Sequence, residues 1–221
     1  LTVAMWIVYR LWTCRMIALA RVVLLFVTLG WWYPDTYLLN CHFDNLDHIF
    51  AAWDQYLFGF QPALVWSKAF PSRIVSELMA MGYAFYFLMF ASLVFYIFFK
   101  RYNDFQKVAY ILVSSFFIYY VIFDLFPVAG PQYYYLAVGL DNIQAGHFPA
   151  VGTYFASHTE CLPIPGWEDG FFRGLVQTSH DAGERPTAAF PSSHVGVSTL
   201  TMLMALRLKE WKFALIWAVP Y

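Results

Sequence analysis

Long apolar runs alternate with short polar ones along this chain, and the lengths of the runs predict helices that cross a membrane. A helix needs roughly 20 mainly apolar residues to span a hydrocarbon core of about 30 Å. The first such segment runs from Met16 to Tyr33, with Arg21 near its start, where a long side chain snorkels to the headgroups. The second runs from Val75 to Phe99 with Glu77 near its beginning, and the third from Val108 to Phe126 with Asp124 near its end. A fourth, short and with a polar entry, runs from Ser192 to Leu206, and a fifth begins near Trp211 and is still apolar at Tyr221. Leu1 to Tyr9 is apolar but too short to span. The chain opens without Met and stops inside an apolar run, so truncation at both ends is expected, with no cleavable signal peptide.

The polar connections carry unequal charge. Arg10 and Arg15 precede the first span. Lys100, Arg101 and Lys107, against Asp104, lie between the second and third, and Arg207, Lys209 and Lys212, against Glu210, follow the fourth. The remaining connections hold most of the carboxylates. By the positive-inside rule the N-terminal side of the first span is cytoplasmic, and the long loops after spans one and three face the extracytoplasmic side, periplasmic or lumenal. Between Asn45 and Phe60, Leu46, Ile49, Phe50, Trp53, Leu57 and Phe58 recur near helical spacing. This helix either lies in the membrane surface or packs as a connector under the bundle. The loop 127–191 keeps many aromatic residues, which argues against disorder and for a packed extracytoplasmic cap.

Composition agrees with this picture. The chain is 61% hydrophobic, 22% aromatic and 12% charged, against roughly 25% charged in soluble domains. A net charge of −1 gives no general attraction to nucleic acid. The expected fold class is all-α: one polytopic membrane helix bundle over residues 1–221, capped by the long loop, with the bilayer as its surroundings.

Candidate chemistry concentrates in Gly183-Glu184-Arg185-Pro186-Thr187-Ala188-Ala189-Phe190-Pro191-Ser192-Ser193-His194, where the long loop enters the fourth span. Ser192 after Pro191 is a good N-cap. The first N–H groups of a helix lack internal partners and the macrodipole is positive there, so a phosphate sits well on such an end. The Ser192 and Ser193 hydroxyls add donors, and His194 is placed to protonate a leaving oxygen. Arg185 is the first candidate for a bidentate phosphate contact and Arg173 the second. Ordinary capping and a surface histidine are the bland alternative.

Phe190-Pro191-Ser192-Ser193-His194 resembles the central Pro-Ser-Gly-His motif of the type 2 phosphatidic acid phosphatase superfamily, six-helix membrane enzymes related to vanadium haloperoxidases. The resemblance implies a six-helix bundle whose last one to two helices are missing from this chain. It implies His194 as general acid, with Ser192 and the Ser193 N–H on phosphate oxygens; Ser193 replaces the family's Gly. The first motif, Lys, six residues, Arg-Pro, is poorly matched: Pro131 and Gln132 lie in its region, but Phe123 and Gly130 hold the cation positions. In this the chain is similar to the branch with inositol phosphorylceramide synthases. The third motif, with the nucleophilic His and its Asp, is expected beyond Tyr221. The implied activity is a lipid-phosphate phosphatase acting at the outer leaflet through a phosphohistidine, with a lipid-linked phosphate as substrate and no cofactor. Transfer of a phosphoalcohol headgroup, as in sphingolipid synthases, is the alternative. A non-catalytic binding or transport protein is the alternative of another class, disfavoured by spans apolar at their middles.

His180, Asp181 and Glu184 are close in sequence, but their spacing matches no recognised metal site, so no metal is expected. Cys41 and Cys161 both fall on the outward side, where an oxidising compartment permits a disulfide; free thiols are the alternative.

Overall fold

The computed structural model describes residues 2–167, 169–181 and 184–221, and of Thr2, Ser67 and Asp181 it describes the backbone only. Gly183, at the head of the motif stretch, lies outside the described residues. The described residues form a helical bundle without strands: α1 (Thr2–Leu11), α2 (Arg15–Asn40), α3 (Asp47–Phe58), α4 (Pro62–Ala69), α5 (Arg73–Lys100), α6 (Tyr102–Leu125), α7 (Pro131–Val138), α8 (Leu140–Gln144), α9 (Phe171–Asp181), α10 (Ser193–Arg207) and α11 (Trp211–Trp217). Three of them, α2, α5 and α6, are long and apolar enough to cross a membrane.

Several hydroxyls of the long helices bond within their own helix. Thr28, Ser92, Ser115 and Thr201 return their hydroxyls to the carbonyls of Leu25, Met89, Leu112 and Val197, so the apolar runs carry no orphan donors at these positions. One core joins α2, α5, α6, α10 and α11, with Leu93, Ile97, Phe105, Leu112 and Val197 fully enclosed. Val27, Trp31, Phe87, Leu88, Ile118 and Val121 face outward, as lipid contact requires.

The element boundaries depart from the sequence expectation where tertiary bonds compensate a local cost. Span one continues past Tyr33 through Pro34 to Asn40. An interior proline costs about 3 kcal/mol, and the last two turns are held by long-range bonds: Tyr37 Oη donates to Phe155 O at 2.7 Å, and Asn40 Nδ2 to Phe123 O at 3.0 Å. Span three begins at Tyr102, with only Arg101 between it and α5, because Arg101 pairs with Asp104 at 2.8 Å and lets the polar stretch be helical. α10 has 15 residues, about 22 Å at 1.5 Å per residue, short of the hydrocarbon thickness.

The segment 127–191 is a cap with helices and a core of its own. Tyr133, Tyr134 and Tyr135 of α7, Ile143 of α8 and Phe155 pack with Ala51 of α3. α9 packs along α5. Its N-terminus is capped from outside: Glu77 of α5 accepts from the backbone N–H groups of Phe172 at 3.1 Å and Arg173 at 3.0 Å. Gly170 permits this approach, since a Cβ there would lie 1.9 Å from Glu77 Oε1. α3 is helical as its spacing predicts. It buries Asp47 and Ala51 against the cap and leaves Trp53, Tyr56, Leu57 and Phe58 exposed, so it has both a packed face and an apolar outer one. At the opposite end from the cap, Glu210 ties the α10–α11 turn to the α5–α6 turn through Lys100 at 2.5 Å, Tyr96 at 2.7 Å and Arg101 at 3.6 Å.

Candidate functional site

The cap delivers its last strand of chain, 184–191, to the mouth of α10. Asn40 donates to the Thr187 hydroxyl, and Ala189 N–H donates to Val128 O at 3.1 Å. Val128 belongs to the segment 127–130, where the first motif was expected, and this segment is fixed by Asp47. The Asp47 carboxylate accepts from Ala129 N at 2.7 Å, Gly130 N at 2.8 Å and Asn45 Nδ2 at 2.6 Å. Burial pushes the Asp47 carboxyl up, against the pull of these three donors and of nearby His48. Phe50 of α3 packs on Phe190 at 4.4 Å between centroids. α3 therefore sets the register of both the 127–130 segment and the approach to Ser192.

At the mouth, Ser192 is the N-cap. Its Oγ accepts from Val195 N at 3.4 Å, and its carbonyl accepts from Gly196 N at 3.0 Å. The Ser192 hydroxyl proton stays available, and the Ser193 and His194 amides lie in the turn where a helix has no internal acceptors. His194 is held by rings on α5: its centroid is 4.2 Å from Tyr83, nearly parallel, and 4.3 Å from Tyr86. Tyr119 of α6 reaches the same turn. A Cβ on Gly196 would lie 1.5 Å from the Tyr119 hydroxyl, so only glycine admits it.

Charge reaches the mouth from the cap. Glu184 accepts from or pairs with His180 Nε2 at 2.8 Å, and its carboxylate acts electrostatically on His194, Tyr33, Tyr83 and Tyr133. Arg185, the next residue, is exposed, with its guanidinium 5.9 Å from the centroid of the Tyr37 ring. The structure thus brings Ser192, Ser193, His194 and the 184–185 strand to one end of the bundle. Arg173 is differently placed: it is buried in α9, and its guanidinium donates to Pro165 O at 2.9 Å and to Ile164 O. These bonds make it a brace of the cap. Pro131 opens α7, and the backbone carbonyl of Gln132 accepts from Leu162 N at 2.8 Å.

Cys41 and Cys161 stand as free thiols, and the Cys41 Sγ–H donates to Leu38 O at 3.7 Å. Burial and the Glu184 charge push the Cys161 thiol up. Among the described residues no group of His, Cys, Asp and Glu converges in a metal-holding cluster. The Asp181 side chain lies outside the described residues.

Sequence reasoning missed Tyr83 and Tyr86 as walls of the site, Asp47 as its anchor and Glu184 as its neighbouring charge. For the tyrosines a signal existed: spacing of three on one helix face at the same end as His194.

A family model described as the PAP2 superfamily matches residues 48–221, which takes in almost all of α3 to α11. No curated protein and no solved structure matches the chain.

Proposed function

Given that the chain belongs to the PAP2 superfamily, whose members are generally phosphatases and phosphotransferases, we propose that it is a membrane enzyme cleaving a lipid-linked phosphate at the mouth of α10. The observation that carries this reading is the first turn of α10, where Ser192, Ser193 and His194 stand together on an electropositive helix end with the His194 ring packed between Tyr83 and Tyr86.

In this reading the phosphate accepts from the Ser193 and His194 amides and from the Ser192 hydroxyl, and Arg185 swings in from the cap as its cation. His194 donates a proton to the oxygen of the departing alcohol, which removes the cost of expelling an alkoxide. The attacking group is a histidine, as in the superfamily, and is proposed to follow Tyr221. The site faces the extracytoplasmic side. Supporting this, Lys100, Arg101 and Lys209 gather at the bundle end opposite the cap.

Headgroup transfer is the second reading, and one observation favours it. Phe123 and Gly130 occupy the positions of the superfamily's first-motif cations, and the Glu184 carboxylate acts on His194. A mouth so lightly charged suits a singly charged phosphodiester better than a doubly charged monoester. Such a donor leaves a phosphoalcohol on the enzyme for an alcohol acceptor, as in sphingolipid synthases.

The full-length protein is tested on a panel of lipid phosphomonoesters and phosphodiesters, with and without an alcohol acceptor. His194→Ala is expected to lower turnover by about 10²–10⁴-fold, and Arg185→Ala to raise KM more than it lowers kcat. Near-parental turnover in His194→Ala removes His194 from the chemistry. Product formed only when acceptor is present decides for transfer.

A further inference from the structure

Tyr86 is 4% exposed, yet its hydroxyl has no hydrogen-bond partner among the described residues. Three other buried tyrosines have spent theirs: Tyr37 on Phe155 O at 2.7 Å, Tyr134 on Pro149 O at 2.8 Å and Tyr135 on Gln61 Oε1 at 2.6 Å. A buried phenol without a partner is rare and calls for an explanation. Packing alone gives none, because phenylalanine fills the same space without the polar cost.

The position of the hydroxyl supplies one. The Tyr86 ring packs on His194 at 4.3 Å, and its hydroxyl faces the Ser193 side chain without closing a hydrogen bond on it. The donor is therefore held at the electropositive first turn of α10, beside the two groups placed to meet an oxyanion. We propose that the Tyr86 hydroxyl is a phosphate ligand of this site, donating to a non-bridging phosphate oxygen together with Ser193. This rests on the α10 mouth being the phosphate site.

The chemistry fits the surroundings. With Phe123 and Gly130 in place of cations, the mouth lacks two charged donors. A phenol replaces hydrogen bonds without adding charge, and its rigid ring loses little freedom when it binds. It also holds the anion against the His194 ring, which sets the distance over which the proton passes.

The test uses the full-length protein in detergent and orthovanadate, a tetrahedral anion of phosphate's shape. Tyr86→Phe is expected to weaken orthovanadate binding by about 10- to 100-fold, as for losing a hydrogen bond to a charged group. Its unfolding temperature without ligand should match or exceed the parent's, since an unpaired buried hydroxyl has gone. Equal affinity in parent and variant overturns the role of Tyr86 and leaves the site itself standing. Weaker binding accompanied by a lower ligand-free unfolding temperature marks a packing role and also overturns it. A parent that binds no orthovanadate and turns over no lipid sinks the site, and Tyr86 with it. Should the variant not fold, 3-fluorotyrosine at position 86 keeps the packing. Its fluorine resonance must then move on adding orthovanadate, and a resonance that stays fixed overturns the proposal.

Discussion

Glycine inside a helix usually weakens it, and replacement by alanine is worth about 1 kcal/mol in the helix's favour. At Gly196 that sign should reverse. A Cβ would fall 1.5 Å from the Tyr119 hydroxyl and 2.7 Å from its ring carbon Cζ, so α6 or the ring must shift. Gly196→Ala is expected to destabilise the protein by about 1–3 kcal/mol, the usual penalty of overpacking. Thermal unfolding in detergent checks it, and a variant as stable as the parent would mean the Tyr119 hydroxyl need not occupy that groove. The motif around Gly196 was legible one residue at a time: Pro191 before Ser192 is a helix start, and His194 on that start is unusual at a membrane rim. Asp47 was not legible in this way. Nothing near it in sequence distinguishes it from Asp35 or Asp44, and its meaning comes from the N–H groups of Ala129 and Gly130, 82 and 83 residues away.

Elements here are tied by few, specific polar joints, because apolar contact between helices gives little preference over lipid. The joint of α5, α10 and α11 is the clearest. Lys100 first, then Tyr96, hold the Glu210 carboxyl below its ordinary range. Its folded value is depressed, so its stabilising contribution is present above the ordinary value of 4.5 and is lost as pH falls through the folded value. Glu210→Gln should therefore lie below the parent in unfolding temperature near neutral pH, with the gap closing as the pH drops below 4.5. A gap independent of pH would show that Glu210 acts through packing. The same economy explains the boundaries that apolar runs misplaced. Pro34 marks a local stop, yet α2 passes it because Tyr37 and Asn40 find partners in the cap and α6. The stretch from Tyr102 looks like a polar loop, yet Asp104 turns towards Arg101 and the helix starts there.

For the whole molecule the decisive quantity is which end of the bundle faces which compartment. The bundle places Cys161 in the cap and Cys14 at the start of α2, both exposed. In sealed, right-side-out vesicles a membrane-impermeant maleimide is expected to label Cys161 and spare Cys14 until the membrane is opened. Because burial and Glu184 raise the Cys161 thiol, its labelling should keep accelerating above the pH at which an ordinary thiol has levelled off. Labelling of Cys14 alone would reverse the orientation. The bundle and its lipid-facing surface follow from the sequence by itself, since transfer into a bilayer is decided residue by residue and apolar runs add up locally. The start of α10 is equally local, a matter of caps and unpaired amides within four residues. Tertiary structure alone decided that α5 would wall His194 with Tyr83 and Tyr86, that α3 would anchor 129–130, and that the Glu184 charge would reach His194. Those pairings join segments far apart in the chain. Their energies exist only once the helices are docked, so no local pattern of residues encodes them.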